Sequence, residues 1–197
     1  MLRKQSIFWV LIVAAFVSSA CDAGSPAEHE NRSNSQAHTT ASTKRFYEID
    51  DELAKALSRN DKEAAIRLAN EYLTLADSYK GNWNYGNAIH DANQALGIVA
   101  LRENDLEKAG QYLAKAGKTP GSPQLNSFGP DLTLADGLLK KGQKDVVLAY
   151  LRSISRFWDP GENNQCLPGL MTRIERGEQP KLNRFLLLNE CHDFAHQ

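Results

Sequence analysis

Small and branched apolar residues recur at three- and four-residue steps along most of this chain, and that spacing restricts it to amphipathic helices. From Lys44 onward Leu and Ala number 38, against 13 for Val, Ile and Thr together, a bias toward helix over sheet. Phe46, Ile49, Leu53 and Leu57 make one face of a helix over Arg45 to Ser58. Asn60 with Glu63 reads as a capping pair for a second helix, carrying Ile66, Ala69, Leu73, Ala76 and Tyr79. A third helix spans Asn87 to Arg102, a fourth Leu106 to Ala116, a fifth about Leu132 to Lys140 and a sixth about Lys144 to Trp158. The expected fold class is all-α.

These helices repeat. Leu96-Gly97, Ala100, Asn104-Asp105, Ala109, Leu113 and Ala116 fall where a tetratricopeptide repeat wants its L-G pair, small residue, turn and second-helix core. A shift of 38 residues gives Leu134-Ala135, Leu138, Gly142, Val147, Leu151 and Ile154. A shift back of 44 gives Leu53, Ala56, Asn60-Asp61, Ala65, Ala69 and Tyr72. Residues 44–158 thus resemble three tetratricopeptide-like helix pairs in a short α-α superhelix. The connector Thr119 to Pro130, with Phe157-Trp158, resembles a bacterial tetratricopeptide-like family of no established activity. Its prolines and glycines preset backbone dihedrals, so it reads as a rigid elbow that Phe128 plugs into the helix stack. In residues 159–197, Pro168 marks a helix start, Gly177 a stop, and the run Phe185 to Leu188 suits a cap over the last repeat.

The N-terminus carries an address. Arg3 and Lys4 precede eleven apolar residues, Ile7 to Val17, and then Ser18-Ser19-Ala20-Cys21. As a helix that core rises about 16 Å, roughly half of a bilayer's ~30 Å hydrocarbon layer, so residues 1–20 read as a cleaved export signal. Val17 to Cys21 resembles the lipobox of bacterial lipoproteins, with Ser18 where that family prefers an aliphatic residue. The resemblance implies a lipid on Cys21 and a protein anchored on the periplasmic face of the envelope, with Asp22 favouring the inner membrane. An ordinary signal-peptidase site at Ala20-Cys21 is the alternative. Asp22 to Ser42 holds no Leu, Ile, Val or aromatic residue, so residues 21–43 read as a flexible tether.

Composition narrows the function classes. The whole chain has 42% apolar and 24% charged residues, which excludes a mainly disordered protein. Its net charge of −1 offers no field for nucleic acid. Gly117-Lys118-Thr119 lacks the glycine a phosphate-binding loop needs where Tyr112 stands, and a helix precedes it, so no nucleotide or other cofactor is expected. Cys191, His192 and His196 could form part of a zinc set on a helical tail. In an oxidising compartment Cys191 has another use, a disulfide with Cys166 that closes a 26-residue loop and adds about 3–4 kcal/mol.

His90-Asp91, with Asn87, Asn93 and Ser127, is the one acid/base candidate, for a hydrolase of envelope material. Adjacent helical residues point ~100° apart, which separates His90 from Asp91 and favours a bond from His90 to the loop Asn82 to Asn87. The leading reading is a membrane-tethered scaffold that binds a peptide or an envelope protein in a helical-repeat groove. The tetratricopeptide resemblance places that groove on the first helix of each pair. It implies Asp91, Gln94, Ile98 and Arg102 on the middle pair, and Thr133, Asp136 and Lys140 on the third.

Overall fold

The computed structural model describes residues 26–160, 165–183 and 187, with side chains from Thr39 onward. Among the described residues eight helices follow one another: α1 Pro26–Ser58, α2 Lys62–Ser78, α3 Tyr85–Arg102, α4 Leu106–Ala116, α5 Pro123–Phe128, α6 Thr133–Lys140, α7 Lys144–Ile154 and α8 Cys166–Glu175. Among the described residues there is no strand, and no helix is long and apolar enough to cross a membrane. The export signal, Cys21 and the set Cys191, His192 and His196 lie outside the described residues.

Residues 26–38 belong to a first compact unit and Thr39 onward to a second. Within the stretch expected to be a flexible tether, residues 21–43, α1 is helical from Pro26. That expectation weighed only buried apolar surface. Helix propagation needs none once a nucleus exists, and Pro26 at the first position is preorganised for it.

Within the second unit, one turn recurs three times. Asn60 (φ 54°), Asn104 (φ 60°) and Gly142 (φ 77°) each take the left-handed conformation just after α1, α3 and α6 respectively. The next residue's N–H then bonds back to the carbonyl of Ala56, Ala100 or Leu138, at 2.9 Å each time. Asp61 and Asp105 cap the following helices, accepting from Ala64 N and Lys108 N at 3.0 Å. The cap of α2 is therefore Asp61, one residue beyond the Asn60 expected, because Asn60 is needed for the left-handed turn that only Gly and Asn adopt readily.

Two clusters make the core. In the first, Phe46, Ile49 and Leu53 of α1 pack with Leu68, Ala69 and Tyr72 of α2 and with Ala88, Ala92 and Ala95 of α3. Phe46 stacks on Tyr79 at 4.5 Å and meets Tyr72 edge-on at 5.6 Å. Arg45 fixes the same junction with a two-pronged bond to Glu71 (2.6 and 3.1 Å), which holds the Glu71 carboxyl below its ordinary range and raises the guanidinium. The second cluster joins α4, α6, α7 and α8 through residues such as Leu113, Leu138, Leu151 and Leu167. Leu182 and Leu187 enter it too, and Asp136 Oδ1 tethers the segment by accepting from Leu182 N at 2.9 Å.

Between α3 and α6 the approach is reciprocal. A Cβ on Gly97 would overlap Leu134, and one on Gly137 would overlap Leu101. The connector after α4 holds its own helix, α5, started by the Ser122 cap (bond to Leu125 N, 3.0 Å) and Pro123, and ended by Gly129 at φ 78°. Leu125 buries at 5% exposure and seats that helix, whereas Phe128 is 67% exposed. Phe128 is therefore not the plug: it sits at the last residue of a six-residue helix, with its side chain turned to solvent.

Candidate functional site

A cleft of about 250 Å³ opens between α1 and α3, and Asp131, just ahead of α6, also lines it. Leu53, Ala54 and Leu57 of α1 and Ala95 and Ile98 of α3 supply its apolar lining. Around them stand Asp50, Asp51, Asp91 and Asp131, with Gln94 between. None of the lining side chains is basic.

Three of the groove residues expected from sequence, Asp91, Gln94 and Ile98, meet here because α3 places them at steps of three and four on one face. Arg102, Thr133, Asp136 and Lys140 do not line the cleft. Arg102 is exposed at the end of α3, and Thr133 is exposed at the start of α6. Asp136 is committed elsewhere: beyond its bond to Leu182, its Oδ2 accepts from Lys140 Nζ at 2.6 Å. Asp50, Asp51 and Asp131 were not anticipated. Asp50 and Ala54 lie 44 residues before Gln94 and Ile98, so the expected repeat spacing, carried back to α1, points to both.

Behind the cleft runs a buried polar chain. His90 is 0% exposed. Its Nδ1 lies 2.8 Å from Asp91 Oδ1 and its Nε2 lies 3.0 Å from the Tyr150 hydroxyl. The carboxylate fixes the tautomer: Nδ1–H donates to Asp91, and Nε2 accepts from Tyr150. The Asp91 side chain bends sideways to reach its neighbour, so the angular separation of adjacent helical residues does not keep the two apart. The Tyr150 hydroxyl is pushed far above its ordinary pKa, first by burial and then by the Asp131 charge. Gln94 Nε2 donates to Asp131 O at 3.1 Å and to Tyr150 Oη at 3.3 Å. Its Oε1 is buried with no hydrogen-bond partner among the described residues.

His90 does not bond the loop before α3. That loop is held otherwise: Asn84 donates to the Tyr72 hydroxyl at 3.0 Å, and Ser122 Oγ donates to Asn87 Oδ1 at 2.5 Å. Both ring nitrogens of His90 are engaged inside the protein, and Ser127 is exposed on α5. The arrangement positions Asp91 at the cleft and presents no imidazole nitrogen to it.

No family model, curated protein or solved structure matches the chain. The chemistry of the cleft must therefore be read from its own residues. Among the described residues no three His, Cys, Asp or Glu side chains stand so that they could hold a metal ion. What the cleft offers is a short apolar trough inside a spread negative field.

That field has a cost at Asp50. Burial raises its carboxyl above the usual range, the Asp51 and Asp91 charges add to this, and the bond from Asp51 N–H (2.8 Å) opposes it. A raised carboxyl binds its proton more tightly folded than unfolded. Stability therefore falls as pH rises from the ordinary carboxylate value through the folded one, and the loss is complete above that. Asp50→Asn is expected to raise the melting temperature at neutral pH by about 1–3 °C, and the gain should vanish near pH ~3, where both states carry a neutral group. Thermal melts across pH check this. A gain that persists undiminished in acid would assign it to packing instead.

Proposed function

We propose that this chain is an exported, lipid-tethered scaffold that holds an extended segment of a partner envelope protein in the α1–α3 cleft. One observation carries the reading: groove positions of α3 come together with α1 residues around a single open trough. The turn that recurs at Asn60, Asn104 and Gly142 supports a tetratricopeptide-like plan, with α1, α3 and α6 as first helices and α2, α4 and α7 as second. In such a plan the first helices share the concave face, where an extended chain lies along the array.

Residues 1–20 are proposed as the export signal and Cys21 as the lipid attachment site, on the periplasmic face with Asp22 favouring the inner membrane. A disulfide from Cys166 to Cys191 is proposed to pin the segment after α8, and non-reducing peptide mapping reads that pairing. Cys166 is buried where α8 begins, in the cluster that receives Leu182 and Leu187.

The reading is tested in intact cells with a photo-crosslinking side chain at Ala54 or Ile98, and with a control at Gln111, exposed on α4. Both cleft positions should capture the same protein, and the control should not. Cys21→Ala should move the scaffold out of the membrane fraction or block its processing. Equal capture from Gln111 and from the cleft would sink the groove assignment. Normal processing with full membrane retention of Cys21→Ala would sink the anchor.

A further inference from the structure

We propose that the α1–α3 cleft selects a lysine- or arginine-bearing stretch of an otherwise apolar extended peptide, seating the cationic group among Asp50, Asp51, Asp91 and Asp131. This rests on the scaffold reading and names what the scaffold takes.

The first argument is charge. Four aspartates line the trough, one of them bonded to the buried His90, and no basic side chain lines it, which leaves the cleft a negative field. Such a field recruits cations and repels acidic chains. The second is the orphan acceptor. Gln94 is 4% exposed and lines the cleft, and its Nε2 donates to the Asp131 carbonyl at 3.1 Å and to the Tyr150 hydroxyl at 3.3 Å. With Nε2 so engaged, Oε1 has no partner among the described residues, and a buried acceptor without a donor is costly until one reaches it.

Shape narrows the ligand. The carboxylates do not converge as a metal site does. About 250 Å³ is smaller than pockets for drug-sized ligands, and suits one long side chain with its neighbours outside. Leu53, Leu57 and Ile98 offer apolar surface to the methylene stem of a lysine or arginine while its head reaches the aspartates. The raised carboxyl of Asp50 fits the same picture, since an arriving cation would relieve the repulsion from Asp51 and Asp91.

The test is titration calorimetry on the full chain in detergent at low salt. The probe is a blocked hexapeptide alternating lysine and leucine, compared with versions carrying norleucine or glutamate in place of lysine, and with spermidine. The lysine peptide should bind. Its affinity should fall at least tenfold in Asp50→Asn/Asp51→Asn, and should hold in the charge-matched control Glu107→Gln/Asp145→Asn on α4 and α7. The Gln94 side-chain amide resonances should move with the lysine peptide and not with the norleucine one. Equal binding of the norleucine peptide, preference for glutamate, spermidine binding as tightly, or an unaffected aspartate double variant would each overturn the charge assignment. The in-cell crosslinks separate the two levels. Capture from Ala54 and Ile98 without lysine selectivity sinks this inference alone, and no capture sinks both.

Discussion

Phe46→Ala should lower the unfolding free energy by about 3–5 kcal/mol, the range for emptying a fully buried aromatic site. Phe46 is 0% exposed and touches three tyrosine rings, Tyr47, Tyr72 and Tyr79. Two of these rings are held against moving into the void: Tyr72 is tied by its hydroxyl to Asn84, and Tyr79 to Ser42 and Thr43. At about 2–4 °C per kcal/mol for a chain of this size, the melting temperature should drop by roughly 10 °C. Function should fall with it, because the same helix that loses its anchor supplies Asp50 and Ala54 to the cleft. Melts by circular dichroism, alongside crosslinking at Ile98, check both parts. An unchanged melting temperature would mean that α1 is not docked through Phe46.

His90→Ala is the second large effect, with about 3 kcal/mol expected from a cavity plus the stranded partners. The ring is wholly enclosed, and its removal leaves the buried Tyr150 hydroxyl without the nitrogen at 3.0 Å. Tyr150→Phe keeps the volume and should cost less, about 1–2 kcal/mol. Since each change removes the same bond, the double variant should cost less than the sum by about 1 kcal/mol or more. A positioning role for His90 predicts that lost capture tracks lost stability. A folded variant of normal melting temperature that lost function outright would instead revive the hydrolase reading.

Periodicity made α3 and α4 readable almost to the residue, because their buried alanines and leucines follow helical steps without interruption. It failed at both ends of the size range. The first eighteen residues of α1 precede Thr43 or end there, and they carry no apolar stripe to read. α5 has six residues and one buried side chain, too few for a period, though Ser122-Pro123 and Gly129 are start and stop signals in their own right. In the cleft, Asp91, Gln94 and Ile98 were legible from one helix. Asp50 needed the 44-residue repeat to be carried to α1. Asp131 was beyond reach, because its place depends on how the whole connector from Gly117 folds back over α3. Its carbonyl bond to Gln94, 37 residues away, has no local signature.

The reciprocal contact of α3 and α6 has a consequence for how this sequence can vary. Gly97 faces Leu134 and Gly137 faces Leu101, each glycine occupied by the other helix's leucine. A methyl gained at one position is tolerable only with carbon lost at its opposite. The four residues should therefore drift as two coupled pairs, and sequences that share this packing should exchange bulk across the interface rather than change it on one side.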